Sequence, residues 1–374
     1  MSTTAKWIIA IMVIILIISG IWYYGAKPAT PAETGPIRIG VSAPLTGDAS
    51  LWGTESKNGI ELALAKLDPK IKDRIQLIYE DSKCDAKTGV DVANKLVNVD
   101  KVKYITGEIC SSVVLATLPI TEPNKVLMMS PGASSPAITG AGKYFFRTWP
   151  SDTYEGNVLA DFAKNKLNLN KIAILSINND YGVGLRDVFK SKLESLGGQV
   201  VAVESFDPSA KDFRTQLAKI KASNPEAIYL DSNPEEMPLV LKQIREMKLT
   251  QKLLANGPSV DGNTTIAKTG KNLADGVFYA YPAWKNPDWF LADYRAKYNK
   301  EPGIAADTSY DAFNLVVTVI EKCGNDTNCA KSELAKTKDY QGAAGNTTFD
   351  SNGDVVGKNF MLKIVKGEQF VPYE

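Results

Sequence analysis

The 374-residue sequence contains no histidine, so it lacks the side chain that most often serves as a general base or a metal ligand. It also lacks a GxSxG segment and any pair of cysteines with CxxC spacing. These absences argue against serine hydrolases and dithiol redox enzymes. We therefore expect a protein that is not an enzyme and that uses neither a cofactor nor a metal ion.

The sequence also lacks an excess of charge of either sign, with 43 Lys plus Arg against 42 Asp plus Glu. A balanced charge gives no reason to expect nucleic acid as a partner. The length exceeds what one hydrophobic core usually organises, so two domains are expected.

A long apolar segment stands near the N-terminus, at residues 7–24, after Lys6. As a helix it would be about 27 Å long, close to the thickness of the bilayer's hydrocarbon core. Its aromatic ends and the preceding lysine predict a membrane anchor in residues 1–25 with the following domain outside the cytoplasm. A cleaved signal peptide is the alternative. Residues 26–36 are rich in proline and are predicted to be a tether.

Beyond Pro36 short β-branched segments alternate with longer segments that have helical spacing of apolar residues. The series restarts after YFFRTWPSD. Such alternation predicts βαβ wiring, because each helix returns the chain to the same end of a parallel sheet. We predict an α/β protein with two doubly wound parallel-sheet lobes.

Hydroxyl groups follow two neighbouring strands of the first predicted sheet. Ser111 and Ser112 follow strand KYITG, and Ser134 and Ser135 follow strand KVLMMS, close to Gly132. Ligands bind beyond the carboxyl ends of parallel strands, where serine hydroxyls and free N–H groups suit a carboxylate. The alternative is that these serines only cap a helix or close a turn.

The four cysteines form two predicted pairs. Cys84 and Cys110 follow strands of the same sheet, and a disulfide between them is expected in an extracytoplasmic protein. Cys323 and Cys329 are predicted to close a small loop between two helices. Metal binding is the alternative, but the spacings do not resemble those of a zinc site.

The sequence resembles the leucine/isoleucine/valine-binding proteins, solute receptors of ABC importers with the type I periplasmic binding fold. The resemblance runs from Ile37 to the C-terminal residues. It rests on the segments IRIGVSAPLTGDASLWG, EDSKCDAKTGVDVANKLV, GEICSSV, SPGASSPAIT, FFRTWPSD, NNDYGVGL and FDSNGD, in that order.

The resemblance implies a set of ligand-binding residues. The implied residues are Trp52, Ser111, Gly132, Ala133, Ser134 and Tyr181. The serine-bearing helix start and the loop after the next strand would hold the ligand's carboxylate and ammonium, the glycine through its carbonyl. The tryptophan would form a pocket wall, and the tyrosine of the second lobe would close over the ligand. For both aromatic residues, predicted to lie in loops, local packing is the alternative.

One part of the family's pattern is missing. The family's branched-chain receptors pair the ammonium with a second-lobe glutamate, where this sequence has Pro258 and Ser259, and a tyrosine of the family is replaced near Asn233. Asp231, at the end of strand AIYLD, could supply a carboxylate instead. Its alternative role is the N-cap of a following helix.

The resemblance also implies how the lobes are divided. We predict that residues 36–150 and 281–349 form the first lobe and that residues 151–280 and 350–374 form the second. Three chain crossings would make the hinge, near TWPSD, YAYPAW and FDSNG.

The function predicted from these observations is an extracytoplasmic, monomeric receptor of an ABC importer. It would bind an amino acid, branched-chain or similar, between two closing lobes and deliver it to a membrane permease. A membrane-anchored sensor of the same fold is one alternative, and a receptor for a carboxylate or amide that is not an amino acid is another.

Overall fold

A computed structural model of the protein describes residues 36–261 and 273–373. The anchor or signal segment predicted for residues 1–25 and all but the last residue of the predicted tether lie outside these ranges. In the described part of the chain, none of the helices combines the length and the apolar character that a membrane crossing requires. The chain from Pro36 onward forms one compact unit.

The first sheet has five parallel strands, in the order β2-β1-β3-β4-β5. Its strands are β1 (Ile37–Ala43), β2 (Ile75–Asp81), β3 (Tyr104–Thr106), β4 (Leu127–Ser130) and β5 (Phe145–Arg147). The connecting helices are α1 (Ser50–Lys66), α2 (Pro69–Lys72), α3 (Ala86–Asn94) and α4 (Ser111–Thr121). Strands β1, β3 and β4 are short and almost wholly buried, as expected for a parallel sheet covered by helices on both faces.

The second sheet begins with strands β6 (Lys171–Ile177), β7 (Gln199–Phe206), β8 (Ala227–Asp231), β9 (Lys252–Asn256) and β10 (Val277–Pro282). Its helices are α5 (Asp152–Asp161), α6 (Asp180–Ser195), α7 (Arg214–Ala222), α8 (Met237–Glu246) and α9 (Gly257–Val260). These five strands pair in parallel, and Ser176 at the end of β6 lies beside Asp231 at the end of β8.

After β10 the chain returns to the first sheet. Here it forms α10 (Asp288–Tyr298), α11 (Ala306–Cys323), α12 (Thr327–Leu334) and a small antiparallel sheet of β11 (Tyr340–Gly342), β12 (Gly345–Phe349) and β13 (Val355–Val356). Phe313 and Val316 of α11 pack in the same apolar cluster as Ile60 of α1 and Val41 of β1. The long helix α11 therefore completes the core of the first sheet.

The chain ends on the second sheet with β14 (Phe360–Lys366) and β15 (Gln369–Pro372). These two strands are antiparallel and extend the sheet to the order β15-β14-β10-β9-β8-β6-β7. The prediction of an α/β fold with two parallel sheets is confirmed. We call the parts built on the first and second sheets the first and second lobe, and the lobe boundaries given above stay a prediction.

Two sequence-based expectations about elements were wrong. Trp52 and Tyr181 lie in the first turns of α1 and α6 rather than in loops, because both helices begin earlier than their apolar periodicity indicates. In addition, the segment YFFRTWPSD contains strand β5, which was not predicted because three residues are too few to show an alternating pattern.

Both predicted disulfides are confirmed. Cys84 and Cys110 are bonded with their Cα atoms 5.4 Å apart, and Cys323 and Cys329 are bonded with their Cα atoms 5.7 Å apart. The first bond joins the loop after β2 to the residue that precedes α4. The second joins the end of α11 to α12.

Candidate functional site

A cavity lies between the two lobes, at the carboxyl ends of the parallel strands. The space at this site that protein atoms do not fill is about 480 Å³, a figure that includes open solvent at the mouth of the cavity. The lining residues are Trp52, Cys84, Ile109, Cys110, Ser111, Ser112, Gly132, Ser134, Trp149, Asn179, Tyr181, Asn233, Pro258, Ile304 and Ala305. None of these side chains carries a charge, and both lobes contribute to the wall.

Ser111 lies at the N-terminus of α4, with its hydroxyl facing both protein and cavity. Its Oγ accepts a hydrogen bond from the backbone N–H of Ser135 at 3.1 Å, so the hydroxyl proton remains available to a ligand. The predicted alternative, a serine cap for this helix, is not found. The N-cap residue is Cys110, and no side chain caps the helix. The first-turn N–H groups of α4 therefore lack a side-chain acceptor.

Ser134 and Gly132 also reach the cavity, whereas Ala133 does not line it. The hydroxyl of Ser134 donates to Oδ2 of Asp152 at 2.9 Å. Ala133 is fully buried, its N–H donates to Oγ of Ser130 at 2.9 Å, and its carbonyl accepts from Arg147 at 3.2 Å. Ala133 thus shapes the loop that carries Ser134.

Trp52 and Tyr181 face each other across the cavity from opposite lobes. Their rings are 6.2 Å apart in an edge-to-face arrangement. The indole N–H of Trp52 donates to the carbonyl of Pro258 at 3.1 Å, and the hydroxyl of Tyr181 accepts from Nδ2 of Asn256 at 2.8 Å. Both rings are nearly buried, so the aromatic wall spans the two lobes and is held by hydrogen bonds at each end.

Asp231 lies behind the cavity wall rather than in it. It is buried at the end of β8, and its Oδ2 is 3.5 Å from Oγ of Ser176. Helix α8 begins six residues later at Met237 with Glu236 at its N-cap position, so Asp231 does not cap it. Burial raises the pKa of Asp231 well above its ordinary value.

Two further buried carboxyl groups lie close to Asp231, and sequence reasoning missed both. Asp152, the last residue of the predicted hinge segment TWPSD, and Glu155 lie in the first turn of α5. Burial raises the pKa of Asp152 to about 7 and that of Glu155 well above its ordinary value. Their pattern in the sequence is that of ordinary acidic residues at a helix N-terminus, so only the packing distinguishes them.

Other residues of the cavity gave little signal in the sequence. Trp149 precedes Pro150 in the predicted hinge segment and packs edge-to-face against Tyr281 and Trp284, with ring centres 6.1 and 5.5 Å apart. Ile304 and Ala305 reach the cavity from the segment before α11. Trp149 could have been identified from the sequence, because it is an aromatic residue beside a proline where the chain is predicted to cross between the lobes. Ile304 and Ala305 could be identified only from the tertiary structure.

The lobes are also joined by hydrogen bonds around the cavity. Oγ of Ser112 accepts from the N–H of Asp180 at 3.0 Å. On the other side Oε1 of Glu235 accepts from Oγ of Ser50 at 3.2 Å and from the N–H of Leu51 at 3.3 Å. Asp48 also pairs with Lys211 at 3.1 Å. The lobes are therefore in contact on both sides of the cavity.

The groups at the site suit binding of a small polar molecule: hydroxyl groups, backbone N–H groups, aromatic surface and nearby buried acids. Among the residues that the structure describes, no group of three or more histidine, cysteine, aspartate or glutamate side chains could hold a metal ion.

Comparisons with known proteins agree with this geometry. A family model described as "Periplasmic binding protein" matches residues 36–369. The leucine-, isoleucine-, valine-, threonine- and alanine-binding protein of Pseudomonas aeruginosa is 29% identical over 332 residues, which cover 87% of this chain and 88% of that protein.

Solved structures give the same result. The crystal structure of the leucine binding protein LivK from Thermotoga maritima has a TM-score of 0.84 at 30% identity and covers 90% of this chain and 98% of its own. A solute binding protein of an ABC transporter from R. palustris, in complex with benzoate, has a TM-score of 0.82 at 21% identity, covering 90% of this chain and 95% of its own. At that identity the second likeness concerns the fold alone.

Proposed function

The chain belongs to the periplasmic binding protein family, among the relatives of the leucine/isoleucine/valine-binding proteins, and from this premise we propose that it is the extracytoplasmic receptor of an ABC importer. It binds an amino acid, branched-chain or similar, and presents it to a permease in the membrane. The observation that carries this proposal is the two-lobed cavity with a free hydroxyl proton at Ser111. The receptor acts as a monomer, held at the membrane by residues 1–25.

The carboxylate of the ligand is assigned to the N-terminus of α4. Ser111 has a hydroxyl proton to donate, and the uncapped N–H groups of the first turn point to the same end of the helix. Hydrogen bonds from such donors to a carboxylate are charge-assisted, so they are stronger than those between neutral groups. The partial positive charge of the helix N-terminus adds to the attraction.

The amino group of the ligand is assigned to the neighbourhood of Ser134. Because the hydroxyl of Ser134 donates its proton to Asp152, its oxygen is left to accept a hydrogen bond from the cavity side. The carbonyl of Gly132 is a second acceptor. Asp231 is proposed to contribute negative charge from behind the wall. The remaining walls are formed by Trp52, Tyr181, Ile109 and Ile304, which suit an aliphatic side chain.

A binding screen tests this proposal. Differential scanning calorimetry of the full chain, with L-leucine, L-threonine, L-alanine and benzoate as probes, measures the shift in melting temperature. A ligand at a hundred times its Kd stabilises a protein by about 2.7 kcal/mol. We expect upward shifts with at least one amino acid. A shift with none of the three amino acids would reject the proposed ligand class.

A receptor for a carboxylate without an amino group is the second candidate. It is supported by one observation, that no charged side chain lines the cavity. Stabilisation by benzoate alone would favour this second function over the first. The screen therefore separates the two functions directly.

A further inference from the structure

Three carboxyl groups form a buried cluster next to the cavity, which we call the acid cluster: Asp152, Glu155 and Asp231. Each is at most 1% exposed. Two of them come from one helix turn of α5 and the third from the end of β8. Their charges act on one another, because the negative charge of Asp152 raises the pKa of both Glu155 and Asp231. The three groups therefore behave as one electrostatic unit.

The acid cluster contacts one residue that lines the cavity and two residues next to lining residues in the chain. Asp152 accepts a hydrogen bond from Ser134, which lines the cavity. Oε1 of Glu155 accepts from the N–H of Gly257 at 2.7 Å, directly before the lining residue Pro258. Gly182 follows Tyr181 of the wall, and a Cβ atom added to this glycine would lie 3.1 Å from Oδ2 of Asp231.

Two oxygen atoms of the acid cluster have no hydrogen-bond partner in the described part of the chain. They are Oε2 of Glu155 and Oδ1 of Asp231. A buried polar atom without a hydrogen-bond partner lowers the stability of the fold. Two such atoms beside a cavity therefore indicate a role other than packing. Leucine or glutamine could fill the same volume at a lower cost if the role were only structural.

Two arginines lie near the acid cluster, but each is paired with another carboxylate. The charge of Arg147 lowers the pKa of Asp152 and that of Arg186 lowers the pKa of Asp231, in both cases by less than burial raises it. The guanidinium of Arg147 forms a double hydrogen bond with Asp354, at 2.7 and 2.8 Å. Arg186 pairs with Asp187 at 2.8 Å. The other titratable groups that face the cluster are the phenols of Tyr181, Tyr229 and Tyr281, which carry no positive charge.

Without a directly paired cation, carboxyl groups in a buried site hold their protons near neutral pH. The raised pKa values of all three acids agree with this expectation, because burial is the largest cause in each case. A cation bound in the cavity near Ser134 would stabilise the ionised form of the nearest acid and so lower its pKa. That acid would then lose its proton.

We propose that the acid cluster supplies the counter-charge for the amino group of the ligand and releases a proton when that ligand binds. The O–H bond of one carboxylic acid breaks and its proton goes to solvent. The negative charge of the carboxylate that forms acts on the ammonium from behind the cavity wall, and the ammonium keeps its own protons. The inference rests on the proposed amino-acid ligand and adds a mechanism by which the site selects ligands that carry an amino group. A ligand without an amino group triggers no release.

Proton release determines whether the affinity for the ligand rises or falls with pH. The free protein binds more protons than the complex, so affinity for an amine-bearing ligand rises as pH increases. For one proton the rise is at most about tenfold per pH unit, and it stops once the free cluster has lost that proton. Affinity for a carboxylate that lacks the amine does not rise in this way.

Isothermal titration calorimetry of the full chain tests the proposal with two probes, L-leucine and 4-methylpentanoate, which share a carbon skeleton and differ in the amino group. Titrations at pH 7 in phosphate and in Tris measure the protons exchanged, because the two buffers differ in ionisation enthalpy. We expect release of up to about one proton with L-leucine. We expect none with 4-methylpentanoate.

Isosteric variants assign the effect to the acid cluster. Asp231→Asn and Glu155→Gln should reduce proton release and weaken L-leucine binding by about 10- to 100-fold, the usual size of a lost charged hydrogen bond. Asp161→Asn is the matched control, since it removes a carboxylate from the exposed end of the same helix α5. It should leave both quantities unchanged.

The outcomes separate this inference from the proposed function. Leucine binding with the same heat in both buffers would overturn the inference and leave the amino-acid receptor standing. Binding of 4-methylpentanoate but not of L-leucine would overturn both the inference and the amino-acid assignment. Binding of neither probe, nor of any other amino acid in the screen, would reject the ligand class and this inference with it.

Discussion

Two serines of the cavity have similar sequence contexts but opposite hydrogen-bonding roles. Ser111 accepts from the N–H of Ser135, so it has a proton to donate, whereas Ser134 donates to Asp152 and has lone pairs to offer. A carboxylate needs donors and an ammonium needs acceptors. The two residues can therefore orient an amino acid between them, which a pair of equivalent hydroxyls could not do.

The substitution Ser111→Ala should weaken binding of the ligand found in the screen by about 10- to 100-fold, because it removes a donor to a buried carboxylate. Calorimetric titration measures the change. Ser151→Ala is the control, since Ser151 caps α5 through the N–H of Thr153 and does not line the cavity. That control should lower stability by about 1 kcal/mol and leave affinity intact. Unchanged affinity in Ser111→Ala would remove this serine from the binding site.

At the scale of elements, the first turn of α4 is held in place by a disulfide. Cys110 is the N-cap residue of α4, and its bond to Cys84 ties the helix start to the loop after β2. Both cysteines also line the cavity. The second disulfide, between α11 and α12, lies away from the cavity and provides a comparison within the same protein.

Removing the two disulfides separately, by paired Cys→Ser changes, should have different effects. Loss of the bond between Cys84 and Cys110, 26 residues apart, should cost roughly 3 kcal/mol of unfolding free energy. Loss of the bond between Cys323 and Cys329, 6 residues apart, should cost about 1 kcal/mol less. Urea unfolding measures both. Only the first change should also weaken ligand binding, and equal affinities in the two variants would contradict the role given to this bond.

At the scale of the whole molecule, the cavity is closed by contacts that cross between the lobes. The carboxylate of Glu235, from the second lobe, accepts hydrogen bonds from Ser50 and Leu51 at the N-terminus of α1 in the first lobe. Helix α1 has no side-chain cap of its own. The second lobe therefore satisfies a helix terminus of the first lobe only when the two are together.

The variant Glu235→Gln should shift the protein toward an open arrangement and weaken ligand binding by up to about tenfold, since roughly 1 kcal/mol of closing energy is lost. Small-angle X-ray scattering should show a larger radius of gyration without ligand than with it, in both the variant and the parent. Glu246→Gln is the control, because Glu246 pairs with Arg214 inside the second lobe. A radius of gyration that saturating ligand does not change would contradict closure altogether.

Buried acids also set the pH dependence of the whole fold. Burial raises the pKa of four carboxyl groups to about 7: Asp152, Glu235, Glu236 and Asp311. Their ordinary values are near 4, so the folded state binds more protons than the unfolded state between these limits. Their favourable contribution to the free energy of unfolding is therefore fully present below pH 4, and it is lost as the pH rises through 7.

Melting temperature should therefore fall by a few degrees or more between pH 5 and pH 8 in the absence of ligand. Differential scanning calorimetry across this range measures the change. The variant Asp311→Asn should show a shallower fall, because one of the contributing acids no longer ionises. A melting temperature that rises from pH 5 to pH 8 would show that the buried acids do not dominate the pH dependence.

Local sequence patterns were enough to predict the class of fold and part of the candidate site. Alternation of strand and helix patterns gave two parallel sheets, since periodicity is a local property of the chain. It also placed Ser111 and Ser134 at the ends of neighbouring strands, where parallel sheets bind ligands. The two disulfides followed from the spacing of four cysteines and the expected location outside the cytoplasm.

The full set of groups around the cavity, and the acids behind its wall, could not be predicted without the three-dimensional structure. Asp152, Glu155 and Asp231 are separated by up to 79 positions, and their approach depends on strand order and on the packing of α5 against the second sheet. The direction of the hydrogen bonds at Ser111 and Ser134 depends in the same way on partners distant in the sequence. Local propensity carries no information about such contacts, because they are fixed by the burial of whole elements against one another.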